Sequence, residues 1–302
     1  MNLFNKVIVS SLPLVPKPVV SLVASRYIAG DQLEDASRVT RNLNSQGIMA
    51  TIDLLGEDIL DRSEALAARD ACKEILRVID REHLDSNLSL KLTQIGLKLD
   101  KSFCEQNLRE IVALAREKKN FVRIDMEDHT CTDATLEIYR NVRREFDNVG
   151  IAIQAYMRRS ESDVLELAKL KANFRLCKGI YIEPEIIAFK RKEEIRKNFL
   201  NLLSIMLRNG CYVGIATHDD VLIEGSGRIL SEMKLSPEKY EFQTLLGVRE
   251  RLRLKLRDDG HRVRVYVPYG KDWYPYSVRR LKENPAIAGY AIRTLFSRDS
   301  VN

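Results

Sequence analysis

Cysteine is scarce and poorly spaced in this chain: five residues, at positions 72, 104, 131, 177 and 211, with no C-x-x-C pair. An odd, scattered set excludes a disulfide framework and a zinc knuckle, and it suits a reducing compartment, so a cytoplasmic location is expected. Histidine is scarcer still, with four residues. His218 sits between Thr217 and Asp219 with no ligand spacing around it, so no metal site is expected. No G-x-G-x-x-G follows the first strand-like segment, which argues against an open dinucleotide-binding sheet. No apolar run approaches the roughly 20 residues of a spanning helix. The opening MNLFNKVIVSSLPLV has one lysine, a proline and no clear small-x-small cleavage site, so a secretory signal is not expected.

What is present is ordinary globular composition: 302 residues, 45% hydrophobic and 30% charged, with a formal net charge of +6. The most basic runs, KRKEEIRK (190–197) and RERLRLKLRDD (249–259), interleave acids and leucines at helical spacing and read as solvated helix faces. No nucleic-acid motif accompanies them. The positive charge is compatible with peripheral contact at an anionic membrane surface, which would be the inner face of the cytoplasmic membrane.

After residue 46 one theme repeats: a short β-rich segment, a polar tip, then a helical stretch. The β-like segments are 47–56, 88–96, 121–128, 149–156, 174–181, 212–219, 240–247 and 263–270. In the connecting stretches Leu108, Ile111, Val112 and Ala115 recur at helical spacing, and Ile195, Phe199, Leu202, Leu203 and Met206 line another face. Strands alternating with helices predict parallel pairing, and eight such units close into a (β/α)8 barrel, a TIM-type α/β fold. Residues 47–302 are assigned to this catalytic barrel, close to the roughly 250 residues typical of the fold. Residues 1–46 read as a short N-terminal helical arm of two helices, one starting at Pro18 and stopping at Gly30, the other capped by Asp31 and stopping at Gly47.

Active sites in this fold lie at the carboxyl ends of the strands. The polar residues expected there are Asp53, Lys91, Asp125, Gln154, Arg175, Lys178, Thr217, His218, Gln243 and Tyr266. A parallel strand buried on both faces should be nearly all apolar, so each charge within one needs a partner or a ligand. Lys91, Asp125 and Arg175 could form a purely structural ion-pair network, but the set taken together favours a site. The segment YVPYGKDWYPYSVRRLKENP (266–285) adds adjacent arginines, Arg279 and Arg280, behind four tyrosines and the only tryptophan. The rings can serve packing alone. The arginines, near the start of a final helix with Glu283 one turn beyond Arg279, can either form a surface ion pair or grip a carboxylate bidentately, with Glu283 holding one guanidinium in place.

RIDMED (123–128), FRLCKGIYIEP (174–184), ATHD (216–219), EFQ (241–243) and VYVPYGKDWYPYSVRRLKENP (265–285), with LSLKLTQIGL (88–97), resemble the proline dehydrogenases in order, from about residue 47 to about residue 290. The resemblance implies a distorted (β/α)8 barrel with FAD over the carboxyl ends of its strands. It also implies oxidation of L-proline to Δ1-pyrroline-5-carboxylate, the first step of proline breakdown, with electrons passed to a quinone. By the same resemblance Lys91, Arg279 and Arg280 bind the substrate carboxylate, and Tyr181, Tyr266 and Glu283 line the proline pocket. Asp125 orders the cationic cluster, and Arg175 and Lys178 meet the flavin, with Arg175 near its reactive nitrogen. Met126, Gln154, Gly179, Ile180, Thr217 and His218 complete the cradle, Gly179 by letting the backbone approach the cofactor. Ile180 stands where the family often has alanine, and Leu245-Leu246-Gly247 replaces a more usual L-Y-G. No aldehyde dehydrogenase module follows, so the monofunctional form is the one resembled. Two rival readings are a Schiff-base aldolase-type lyase with Lys91 or Lys178 as nucleophile, and an inert barrel whose arginines hold an acidic ligand.

Overall fold

The computed structural model describes residues 26–274 and Ser277. Eight strands, β1 (Met49–Leu54), β2 (Ser86–Leu90), β3 (Val122–Ile124), β4 (Val149–Gln154), β5 (Asn173–Cys177), β6 (Val213–Ala216), β7 (Tyr240–Leu245) and β8 (Val263–Tyr269), are hydrogen-bonded in chain order into a closed barrel. Every pairing is parallel, including the closing pair of β1 with β8. This is the (β/α)8 architecture expected from the alternation of segments.

Eight described helices surround or abut the barrel: α1 (Leu33–Asn44), α2 (Arg62–Arg81), α3 (Lys101–Glu117), α4 (His129–Arg143), α5 (Ser160–Ala168), α6 (Lys192–Arg208), α7 (Asp220–Glu232) and α8 (Glu250–Asp258). The two helices whose stripes were read from the sequence bury them. On α3 the residues Leu108, Ile111, Val112 and Ala115 are buried, and on α6 so are Phe199, Leu202, Leu203 and Met206. Ala36 and Leu43 of α1 join the same buried cluster as the barrel strands. Among the described residues, no helix is long and apolar enough to cross a membrane.

Two expectations need correction, and a third falls largely outside the described residues. The cap of α1 is Gln32 rather than Asp31: Asp35 at the third helical position returns a bond to the Gln32 backbone, a reciprocal capping box. The helix expected from Pro18 lies largely outside the described residues. The basic run 249–259 is not wholly solvated, because Arg253 and Leu256 are buried against the barrel.

The strands also stop short of the β-like segments. β2 ends at Leu90 and is followed by a 3-10 turn, Thr93–Ile95, where the sequence suggested strand to residue 96, and β3 ends at Ile124 rather than running to residue 128. The carboxyl-end backbone leaves the ladder because side chains take over its hydrogen bonds: Glu127 accepts from the Thr93 amide at 3.1 Å and Gln154 donates to the Glu127 carbonyl at 2.8 Å. These early terminations create the polar rim on which a site can be built.

Candidate active site

A cavity of about 900 Å³ opens at the carboxyl ends of the strands. Of the described residues expected there from the sequence, Lys91, Asp125, Met126, Gln154, Arg175, Lys178, Gly179, Ile180, Tyr181, Thr217, His218, Gln243 and Tyr266 line it, whereas Asp53 does not. Arg279, Arg280 and Glu283 lie outside the described residues.

The base of the cavity is one charged network. Asp125 follows β3, and its amide still donates to the Leu90 carbonyl at 2.9 Å, which fixes its backbone. Its carboxylate accepts from the Arg175 guanidinium, from the Ser89 hydroxyl at 2.9 Å and from the Tyr266 hydroxyl at 2.7 Å. Arg175, only 7% exposed, also donates to Gln243 Oε1 at 2.7 Å and to Ser89 Oγ at 3.0 Å. Its guanidinium lies 5.1 Å from the centre of the Tyr266 ring. Burial alone would raise the Asp125 pKa, but the nearby charges of Arg175 and Lys91, with the hydrogen bonds, hold it below the usual range.

Asp53 on β1 is a second carboxylate with the opposite fate. Its side chain is buried, neither oxygen accepts a hydrogen bond among the described residues, and its nearest cation is Lys91 Nζ at 3.7 Å. Burial, only partly offset by Lys91 and reinforced by the Asp125 charge, lifts its pKa to about 6. Two carboxylates on strands separated by β2 are thus driven apart, one kept ionised and the other poised near neutrality, the pattern by which acid and base roles are separated. Burial pulls the Lys91 pKa down, yet Asp53, Asp125, Glu127 and Glu57 overcome it and leave it above its ordinary value. A firmly protonated ammonium is a good partner for an anion and a poor amine nucleophile, so the Schiff-base reading of Lys91 is not favoured.

The rim above this base carries a second ion cluster. Asp219, which precedes α7, accepts from Arg196 at 3.0 and 2.7 Å and from Lys178 at 3.3 Å. Burial is outweighed by those two cations, and the Asp219 pKa falls to about 2. The run 190–197 is therefore not simply a solvated face, since Arg196 on α6 turns into the cavity wall together with Lys192. Thr217 accepts from the Asp219 amide at 3.2 Å, and His218 Nε2 accepts from the Leu245 amide at 3.1 Å, so both shape the wall as well as line it.

Gly179 is required by its own backbone conformation and by a neighbouring ring, independently of any cofactor. Its φ is +107°, and an added Cβ would stand 2.1 Å from the Tyr156 ring, behind the wall rather than in the cavity. Gly179→Ala is expected to destabilise the fold by about 1–3 kcal/mol through backbone strain and displacement of Tyr156. An unchanged melting temperature would contradict this.

The aromatic residues divide between the two roles open to them. Tyr266 belongs to the charged network, whereas Trp273 packs on Tyr27, Ile28 and Leu55, and Tyr269 is buried in the main core.

A model of the family described as proline dehydrogenase matches residues 36–292. The chain belongs to the proline dehydrogenase family. It is 39% identical over 277 residues to proline dehydrogenase 1 of Bacillus subtilis subsp. natto, covering 92% of each chain. It is 35% identical over 279 residues to the proline dehydrogenase of Deinococcus radiodurans, covering 90% of this chain and 89% of that one. Among solved structures, proline utilization A from Bdellovibrio bacteriovorus, inactivated by N-propargylglycine, superposes with a TM-score of 0.81 at 26% identity. This chain spans 32% of that longer protein, while 86% of this chain is covered. The proline dehydrogenase fold and the cavity at the carboxyl ends of its strands thus coincide in one barrel.

Several residues of the network were not singled out from sequence. Ser89 bridges Asp125 and Arg175, and Arg196 anchors Asp219. Ser89 could have been found by alternation, since it lies two residues before Lys91 on a strand whose charged tip was already suspect. Arg196 could not, because nothing in a mixed-charge helix says which cation turns inward.

Proposed function

We propose that this chain oxidises L-proline to Δ1-pyrroline-5-carboxylate with FAD held in the carboxyl-end cavity, and that the electrons pass on to a quinone. The observation that carries this reading is the cavity itself. Its base is the Asp125–Arg175–Tyr266–Lys91 network, its wall includes Met126, Ala152, Ile180 and Leu245, and its rim holds Lys178, Lys192 and Arg196. A volume of about 900 Å³ is at the upper end of the roughly 300–1,000 Å³ of cofactor and ligand sites. An apolar wall suits a flat ring system, and a rim of cations suits a pyrophosphate, so the residues present fit a flavin dinucleotide.

The flavin, when bound, supplies the acceptor for the hydride that leaves the proline ring carbon next to the amine. The chain supplies orientation. Lys91 offers a buried ammonium to the substrate carboxylate, and Arg279 and Arg280, outside the described residues, are assigned the remaining charge-assisted bonds, each contributing roughly 1.5–3 kcal/mol. Tyr181, Tyr266 and Glu283 are assigned to the pocket around the ring. Asp125 positions Arg175 and the Tyr266 hydroxyl, so both enter the reaction already ordered. Gln154, Thr217 and His218 shape the cradle together with Met126, Gly179 and Ile180. The quinone, and contact with a membrane carrying it, rest on the family relationship and on the net charge of +6.

The test is an absorbance scan of purified protein with and without L-proline in the absence of oxygen. A yellow protein whose flavin band is bleached by proline is expected. In Arg280→Met the same bleaching should need roughly tenfold to a hundredfold more proline, from the loss of one charge-assisted contact. A colourless protein, or a flavin band indifferent to proline, refutes the proposal.

A further inference from the structure

At the opposite, amino-terminal mouth of the barrel lies a second cavity, of about 350 Å³, built from the first residues of several strands and the loops that precede them. Its charged lining is Lys119, Arg123, Arg262 and Arg264 against Asp85 and Glu241. Arg264 and Glu241 neutralise each other at 2.8 Å, and Tyr212 donates to the other Glu241 oxygen at 2.9 Å. Glu241 is thereby spent, and among the described residues Lys119, Arg123 and Arg262 make no ion pair.

The described partners of Arg123 and Arg262 are neutral ones. Arg262 and Arg264 both direct an Nη2 at the Met49 thioether, at 3.3 and 3.2 Å, although thioether sulfur is a poor acceptor. Arg262 also lies 5.9 Å from the centre of the Tyr212 ring. Arg123 is 2% exposed and donates only to the Ile151 and Asn173 carbonyls and the Asn173 amide oxygen, while its Nε has no partner. Burial, and then the charge of Arg175, lowers its pKa to about 9, with the charges of Glu241 and Asp125 offsetting this only in part, so it remains a buried cation at neutral pH with no direct ion pair among the described residues. A buried guanidinium with no direct ion pair, beside two more cations that make none and with only the exposed Asp85 as a further carboxylate in the lining, is costly unless an anion completes the set.

We propose that the amino-terminal mouth is a second binding site for a small oxyanion, a carboxylate or phosphate group, held by Arg262 and Lys119 at the opening and drawn inward by Arg123. Guanidinium forks match such groups bidentately and exchange the weak thioether contact for a charge-assisted one. A cavity of about 350 Å³ admits a small polyatomic anion or a short acid and excludes a nucleotide-sized body. The site lies at the end of the strands opposite the flavin cavity, so its occupancy and proline oxidation are separable.

Isothermal titration of the flavin-loaded full chain with inorganic phosphate, and separately with succinate, tests this. At least one should bind with a dissociation constant of about 1 mM or below, and which of them does so tells phosphate from carboxylate chemistry. Arg262→Met and Lys119→Met should each weaken that binding about tenfold or more, with bleaching by proline unchanged. Lys119 is exposed, so its variant alone decides the matter should Arg262→Met fail to fold. Absence of heat up to about 10 mM of either probe overturns the site. So does binding that both variants retain, or that saturating proline displaces.

Discussion

Asp125→Ala is expected to lower kcat with L-proline by about 10²–10³-fold, the scale of losing a preorganised electrostatic element. The size follows from what the carboxylate holds. It is the common acceptor for Arg175, Ser89 and Tyr266, and it is the ionised member of the carboxylate pair. Without it, Arg175 is left with Gln243 and Ser89 as neutral acceptors, and Arg123 and Lys91 add further positive charge nearby. Breaking a buried pair by removing one partner costs about 3–5 kcal/mol in stability. Asp125→Asn should lose most of the activity too, because an amide presents donors where three donors already converge. Steady-state kinetics with flavin content and melting temperature measured on the same samples give the check. A variant that binds flavin and keeps kcat would remove Asp125 from the machinery.

The second large effect is on pH dependence and belongs to Asp53. Its folded pKa of about 6 stands above the ordinary value of 3.8, so the folded state binds its proton more tightly than the unfolded state does. The stability this contributes is fully present below about pH 4 and is lost as pH rises through about 6. Over that window the loss is of the order of 3 kcal/mol, at about 1.4 kcal/mol per pKa unit. Asp53→Asn should therefore gain stability relative to the parent as pH is raised from 4 to 7, even though other carboxylates tilt both curves alike. The ionised Asp53 is also the closest counter-charge of Lys91, so an acid limb near pH 6 in kcat/KM should vanish in the variant. Parallel stability curves for the two proteins, with the acid limb kept, would contradict the assignment.

Much of this site was legible because a parallel barrel makes charge conspicuous. Asp125 and Arg175 stood out as charged residues in otherwise apolar strand segments, where each charge needs a partner or a ligand. Position in the repeat then set them at the same end of the barrel. The layer beneath was passed over, though the same period reveals it. Arg123 lies two residues before Asp125, Glu241 two before Gln243 and Arg264 two before Tyr266, so each shares the inward face of its strand. The space for these side chains was not legible at all. An added Cβ on Gly150 would meet Arg123 Nη1 at 2.6 Å, and one on Gly214 would meet Gln243 Nε2 at 2.3 Å. A glycine on one strand that makes room for a side chain on another depends on register and stagger, which no local pattern encodes. The overlong β segments have a related cause: residues such as Glu127 look strand-like in sequence but spend their hydrogen bonds across the rim.

The way the cylinder shuts has a consequence for the protein's birth. Arg264 of β8 reaches the Ala50 carbonyl of β1, 214 residues earlier in the chain. At a synthesis rate of 5–20 residues per second, β1 waits roughly 10–40 s for the strand that covers its free side. Throughout that interval its unpaired amides and carbonyls can template pairing with any passing nascent chain. The ribosome-bound protein thus needs shielding until its last strand emerges, and slowing translation ahead of β8 should raise the yield of aggregates more than an equal pause after it.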